Sequence, residues 1–338
     1  MRKPLLSHWV CILRIIPLFL RRIRAGARRR GNHPGSRVIV LLTLRLVRFN
    51  GQIGHLNASV GIVFIDKRSP VRMENKSDYV FYARTVKASP VRTLVDAVKD
   101  ILTEVNLEVD AAGIKIMAMD GTHTILVHMR LYADRFDEFH CSQKCILGID
   151  FVNLNKMVKQ IKNEDSLLLF MERSNMSRLG IRIMNGEKQM VTTKYLNLME
   201  LDIKPIEIPP VHFPSVITMP SLDFQNIIKD FIQLGDKVEI KSAENELVFR
   251  LEGGDFGSQE TVCLMPKPQK EIVQGYFSLK PLALFTKCTA MSTDIMIYLK
   301  NNYPIIIEYN VAGLGEIKLA LAPSARSESS GAATITHA

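Results

Sequence analysis

The residues best suited to acid–base chemistry lie in one short segment, Met119-Asp120-Gly121-Thr122-His123. A carboxylate and an imidazole on one loop could serve as general acid and general base, which would suit a hydrolase that uses Asp120 and His123. Asp-Gly between two apolar runs is also the strongest short signal for a β-hairpin turn, and we favour the turn. Because no glycine-rich phosphate loop, Gly-x-Ser-x-Gly or His-Glu-x-x-His motif occurs, we predict that the protein is not an enzyme.

The cysteines offer little metal or redox chemistry. Cys141 and Cys145 have a spacing that could form half of a metal site, but no second Cys/His pair has suitable spacing. An odd total of five cysteines does not suggest a disulfide framework and favours a reducing compartment. We therefore predict structural thiols, with no metal and no cofactor.

The lysines indicate contact with phosphate. Lys156, Lys159 and Lys162 recur three apart in a predicted helix at 153–162 whose other side is apolar. Residues 1–72 hold fifteen Lys and Arg against one acid, Asp66, whereas the remaining residues hold 29 against 33. Cations placed on the helices of a mildly acidic body could bind a nucleic-acid backbone without reading bases.

The elements that carry these lysines occur twice. Residues 94–105 and 224–235 share an apolar pattern typical of one helix face, and Lys99-Asp100 in the first segment matches Lys229-Asp230 in the second. Strand-like segments follow both, at 107–117 and 237–251. The pattern predicts an α+β protein in which two similar domains each pack helices on antiparallel strands.

The order of elements sets the domain boundaries. We predict helices at 90–105, 154–161, 222–234 and 281–289, with strands between them. Residues 202–212 contain three prolines, which favours an extended linker. The predicted organisation is domain 1 at 73–201, a connecting linker at 202–212, domain 2 at 213–323 and a disordered tail at 324–338.

Residues 1–72 differ from the rest of the chain. They carry thirteen Arg and two Lys, and their apolar runs are too short to span a bilayer. Met73 begins a segment that reads like a natural start. We predict a basic, Arg-rich leader that is disordered or absent from the working protein.

Beyond the leader, the chain resembles the eukaryotic-type DNA sliding clamp, the proliferating cell nuclear antigen family. The resemblance runs from about residue 80 to 323. It is carried by Leu94-Val-Asp-Ala-Val-Lys-Asp-Ile101, Met119-Asp-Gly-Thr-His123, Phe136-Asp137 with Cys141, Leu198-Met-Glu-Leu-Asp-Ile203, Met219-Pro-Ser221, Tyr303-Pro-Ile-Ile-Ile-Glu-Tyr309 and Leu321-Ala-Pro323.

The resemblance implies a DNA-clamp fold in which three chains close head to tail into a homotrimeric ring around duplex DNA. The implied edge strands are 190–198 and 259–265, which would pair between chains. The implied function is that of a non-enzymatic processivity factor in DNA replication and repair. The positions that match the family's channel contacts are Arg92, Lys99, Lys156, Lys159, Lys229 and Lys287.

The resemblance also implies a pocket that takes a short helical plug with aromatic anchors from partner proteins, among them DNA polymerase and the clamp loader. The matching positions are Met119, His123, Leu126, Ile206, Ile208, Pro304, Ala322 and Pro323. Several positions depart from the family: Ala320 replaces a tyrosine at the pocket rim, Thr124 replaces a valine, and Glu244 replaces a lysine that carries ubiquitin-type modification. In the channel, Asn226 and Thr93 replace cations.

These features leave three readings of function. The first is a homotrimeric sliding clamp in the nucleus or at a viral replication site, with no membrane association. The second is a monomeric or hetero-oligomeric clamp-like processivity or checkpoint factor. The remote third is the hydrolase that uses Asp120 and His123.

Overall fold

The computed structural model describes residues 37–49, 52–65, 76–204, 206–254 and 257–325, and the chain divides into two units at Glu74/Asn75. In the first unit β1 (Arg37–Phe49) and β2 (Gln52–Ile65) form an antiparallel hairpin. This hairpin falls within the Arg-rich leader. The predicted disorder or absence of the leader stays a prediction, and residues 1–36 lie outside the described part.

The second unit begins with one copy of the repeated element order. The copy comprises a 3₁₀ turn (Lys76–Asp78), β3 (Tyr79–Thr85), α1 (Ser89–Val98), β4 (Glu104–Asp110), β5 (Gly113–Met119), β6 (Ile125–Tyr132), a 3₁₀ turn (Ala133–Arg135), β7 (Glu138–Cys141), β8 (Cys145–Asp150), α2 (Phe151–Val158), β9 (Asp165–Glu172), β10 (Asn175–Asn185) and β11 (Met190–Asn197).

A second copy follows with the same succession of strand, helix, strands, helix and three strands, although two long strands replace the five strands between the helices. The second copy comprises β12 (Ser215–Pro220), α3 (Ser221–Phe231), β13 (Lys237–Gly254), β14 (Gly257–Ser278), α4 (Leu279–Phe285), a 3₁₀ helix (Thr286–Met291), β15 (Asp294–Leu299), β16 (Ile305–Asn310) and β17 (Gly315–Leu321). The predicted duplication and the α+β class are confirmed.

The predicted helix ends were wrong by up to seven residues. α1 ends at Val98, because the backbone N–H groups of Ile101 and Leu102 both turn back to the Val98 carbonyl. Val105, predicted in this helix, lies in β4. Ile101, Leu102 and Val105 are nevertheless buried in the same core, so the apolar spacing continues after the helix has stopped.

The other helices shift for local reasons as well. α2 begins three residues early, because the Asp150 side chain caps it by accepting a bond from Asn153 N at 2.9 Å. It ends at Val158, so Lys162 follows the helix instead of lying on it. α3 ends at Phe231 rather than at 234, and α4 gives way to the 3₁₀ helix after Phe285.

Antiparallel sheets carry the helices. One sheet has the order β11-β10-β9-β3-β7, a second has the order β12-β15-β16-β17-β6-β5-β4-β8, and β13 pairs with β14. The eight-stranded sheet joins the two halves of the unit, since β17 pairs with β6 from Gly315 opposite Leu131 to Leu321 opposite Ile125. One continuous sheet is therefore shared by both domains.

Candidate functional site: a basic helical layer and an apolar sheet face

The helices form one connected layer. α1 packs against α2 and against the 3₁₀ helix of the second half, which in turn contacts α3 and α4. Each helix buries one side, as Val91, Leu94 and Val98 do in α1. The predicted DNA-contacting cations lie on this layer or in the turns that follow its helices.

An ion bridge joins the two halves within this layer. Lys99 Nζ lies 2.9 Å from Asp100 Oδ2, and Lys287 Nζ binds the same oxygen. Burial alone would raise the pKa of Asp100, but the bonds from Lys287 and Lys99 outweigh it and lower that pKa. The bond to Asp100 likewise raises the pKa of Lys99. One carboxylate thus holds two predicted DNA contacts, one from each domain.

Asp100→Asn is expected to weaken the domain contact and to strengthen DNA binding, because it releases Lys287 for phosphate and leaves Lys99 with Asp96 as its one remaining acidic partner among the described residues. The loss of stability should be about 1 kcal/mol or less, since the groups are partly exposed.

The depressed pKa of Asp100 stabilises the fold above about pH 4, and the raised pKa of Lys99 does so below about pH 10. Denaturation should therefore show a constant difference from wild type between those limits and a smaller one at high salt. A wild-type-like salt dependence and DNA affinity would contradict the bridge.

Three of the other predicted cations have no acidic partner in the part of the chain that the structure describes. Lys156, Lys159 and Lys229 are exposed, and within the described residues none of them forms an ion pair. Lys156 Nζ donates to Asn153 Oδ1 at 3.0 Å, which leaves its charge unneutralised. These three lysines are available to an external anion.

Arg92 differs from the lysines. Its guanidinium donates to the Ile161 carbonyl at 2.5 Å, and the side chain is partly buried. This bond fastens α1 to the turn after α2. Arg92 therefore has a structural role in addition to the predicted contact with DNA.

The Asp120 carboxylate is an acceptor in a turn. It receives the Thr122 hydroxyl and the backbone N–H groups of Thr122, Thr124 and Ile125, the last at 2.7 Å. These bonds outweigh the effect of burial and lower the pKa of Asp120. His123 lies in the left-handed region with φ 56°, and its N–H closes the turn on the Asp120 carbonyl at 3.0 Å. The hairpin-turn prediction is confirmed, and the carboxylate is already engaged by the turn.

The turn stands at the end of an apolar row on the outer face of the eight-stranded sheet. Directly paired residues share one face of a sheet, and the strand registers align one residue from each of six successive strands. The row reads Met119, Leu126, Ala320, Ile306, Tyr298 and Val216. All six are half-buried or exposed, whereas their chain neighbours on the inner face are buried.

The predicted pocket residues gather at this row. Met119 and Leu126 belong to it, His123 lies in the turn between them, and Ala322 N bonds the Thr124 carbonyl at 2.9 Å. Pro304 immediately precedes β16 and Pro323 follows β17. An open cavity of about 600 Å³ lies beside them, lined in part by Tyr303 and Pro323.

Both ends of the linker contact the eight-stranded sheet. At its start the Leu201 carbonyl accepts from Asn106 Nδ2 at 3.1 Å, on β4. At its end the Phe213 ring packs on Tyr298, on β15. These two ends lie on strands that are five positions apart in the sheet, and the predicted residues Ile206 and Ile208 belong to the linker between them. Ile208 is 44% exposed.

Sequence reasoning missed Phe213, Ile306 and Tyr298. Alternation along β15 could have assigned Tyr298 to the outer face. Its position in the apolar row depends on pairing between distant strands, which alternation does not encode.

The described residues contain no group of three or more His, Cys, Asp or Glu that could hold a metal ion. Burial raises the pKa of both Cys141 and Cys145, the latter to about 12, which disfavours the thiolate form that metals need. No helix in the described ranges is long and apolar enough to cross a membrane.

Comparison with known proteins agrees with this architecture of two similar domains on a shared sheet. Residues 80–205 match the N-terminal domain of proliferating cell nuclear antigen, and residues 207–324 match its C-terminal domain. The chain therefore belongs to the proliferating cell nuclear antigen family, and the expected function as a DNA sliding clamp is confirmed. The family consists of non-catalytic processivity factors.

Two relatives indicate how far the similarity extends. A probable DNA polymerase sliding clamp 1 of Paramecium bursaria Chlorella virus 1 is 32% identical over 254 residues, which cover 72% of this chain and 97% of the relative. The proliferating cell nuclear antigen of Chaetomium thermophilum is 32% identical over 252 residues, 71% of this chain and 96% of the relative.

Proposed function

We propose that this sliding clamp works as a homotrimeric ring that encircles duplex DNA and tethers replication and repair proteins. The observation that most strongly supports this proposal is that each domain has an exposed edge strand. β11 is the outer strand of its sheet and exposes Met190, Val191 and Tyr195, while β14 exposes Val262 and Leu264. One strand from each domain can pair with the other strand of the next chain, and identical contacts of this kind close a ring.

The solution mass tests this proposal. The full chain and a chain that begins at Met73 should both sediment as three copies at micromolar concentration. A single chain would favour the monomeric reading, and assembly only with other clamp subunits would favour the hetero-oligomeric checkpoint reading.

Duplex DNA in the ring would face the helical layer. Arg92, Lys99, Lys156, Lys159, Lys229 and Lys287 would act as cations on the phosphate backbone, without base contacts. Such contacts are weak and independent of sequence, so they permit sliding, and encirclement retains the clamp on DNA.

Partner proteins would dock a helical plug between the linker and the apolar row. The proposed site consists of Met119, His123, Leu126, Ile206, Ile208, Pro304, Ala322 and Pro323. DNA polymerase and the clamp loader are the proposed partners, in the nucleus or at a viral replication site.

Ile208→Ala is expected to weaken the binding of a plug peptide by about tenfold, because it removes an exposed apolar side chain that would cover the plug. Fluorescence anisotropy with a labelled peptide measures the affinity, and sedimentation should show an unchanged ring. Ile203→Ala, in the same linker and similarly exposed, is the matched control. Equal affinity for Ile208→Ala and wild type would refute the pocket assignment.

Catalysis is not part of the proposed function. Purified wild-type protein is expected to leave labelled nucleic acid intact, since the turn already engages the Asp120 carboxylate. Cleavage that disappears in His123→Ala would establish the hydrolase instead.

A further inference from the structure

The apolar row on the outer sheet face has its smallest side chain near the centre. Ala320 pairs with Leu126 on one side and with Ile306 on the other. The aromatic member of the row, Tyr298, pairs with Ile306 and so lies two strands from Ala320, about 10 Å away. The row thus places its smallest side chain two strands away from its aromatic ring.

Polar contacts fix the Tyr298 ring in place. Its hydroxyl donates to Glu308 Oε2 at 2.7 Å, and that carboxylate also binds Lys318 Nζ at 3.2 Å. The same ammonium lies 5.9 Å from the centre of the Tyr298 ring. Because Glu308 is largely buried, these bonds hold the ring in one orientation.

The ring also anchors the end of the linker. Phe213 meets Tyr298 edge to face with ring centres 5.6 Å apart, and it meets Tyr303 in the same manner at 5.7 Å. Such pairs stabilise beyond the area they bury. Tyr303 also lines the open cavity together with Pro323, so the aromatic cluster links the linker to the rim of the proposed pocket.

We infer that Tyr298 forms the aromatic wall of the partner site in this clamp and acts through Phe213 as a positioning residue for the linker. The inference rests on the proposed peptide binding. The aromatic anchor of the plug lies over Ala320 and Ile306, where it reaches the Tyr298 ring on the next strand.

Variants of Tyr298 in the full chain test the inference. Tyr298→Leu keeps an apolar side chain but removes the ring, and it should weaken an aromatic-anchored synthetic peptide about tenfold. Tyr298→Phe keeps the ring and should bind within about threefold of wild type. Tyr132→Ala, on the outer face of β6 and away from the row, should bind as wild type does. Hydrogen exchange at residues 206–213 should quicken in Tyr298→Leu and stay near wild type in Tyr298→Phe.

The two readouts separate the inference from the proposed function. Wild-type affinity and linker exchange in Tyr298→Leu would overturn the inference while peptide binding stands. If the wild-type protein binds no plug peptide, the pocket proposal fails. Linker exchange then decides the positioning role: faster exchange in Tyr298→Leu supports it and unchanged exchange refutes it.

Discussion

Leu264→Lys is expected to separate the ring into single chains. Leu264 lies on β14 and is 82% exposed, on the edge where we propose that β11 of the next chain adds. Pairing there would bury the new ammonium without a partner acid, and an unpaired buried charge costs several kcal/mol. A loss of about 2.8 kcal/mol weakens each contact between chains about a hundredfold. Because the three contacts of a closed ring are identical, the substitution weakens all three of them.

Sedimentation at micromolar concentration measures the effect, and Ile146→Lys is the matched control. Ile146 is an exposed apolar residue on another edge strand, β8, and the substitution adds the same charge. The control should stay trimeric. Trimeric assembly of both variants would show that the interface does not lie on β14, and dissociation of both would show that the effect is not specific to β14.

Lys156→Ala combined with Lys159→Ala is expected to reduce the salt dependence of DNA retention strongly. Both lysines are exposed and form no ion pair with any acid in the described ranges, and a trimer would lose two charges from each chain. Each phosphate contact contributes about 0.9 to the slope of log K against log salt. If all these lysines contact phosphate, the slope should fall by about five.

Retention of the loaded clamp on circular duplex DNA, measured as salt is raised, gives this slope. Lys188→Ala with Lys204→Ala removes the same charge from a turn and from the linker and should leave the slope unchanged. A slope equal to wild type in Lys156→Ala/Lys159→Ala would place the DNA on another surface.

Local periodicity predicts most of the fold. Apolar residues recur at helical spacing within α1 and again within α3, so the sequence indicates both helices. Because the two helices share the same pattern, the sequence also indicates the duplication. Apolar spacing does not predict where α1 ends. Ile101, Leu102 and Val105 are buried in the same core as the helix, although α1 ends at Val98. Core membership and helix membership coincide only in part.

Contacts between the halves could not be predicted. Asp100 binds Lys287 across 187 residues, and Tyr298 joins the apolar row through β16 and β17, which pairs with β6. Both depend on how two distant segments meet, and neither segment alone carries that information. Resemblance could supply the proposed cations and the proposed pocket positions one by one, but Tyr298 required the strand register and Phe213 required its ring contact with Tyr298.

The solution mass of the unmodified protein tests the central claim most directly. Sedimentation equilibrium at micromolar concentration should give three chains of 38.2 kDa each, with the same stoichiometry for a chain that begins at Met73. A single chain across that concentration range would contradict the homotrimeric ring.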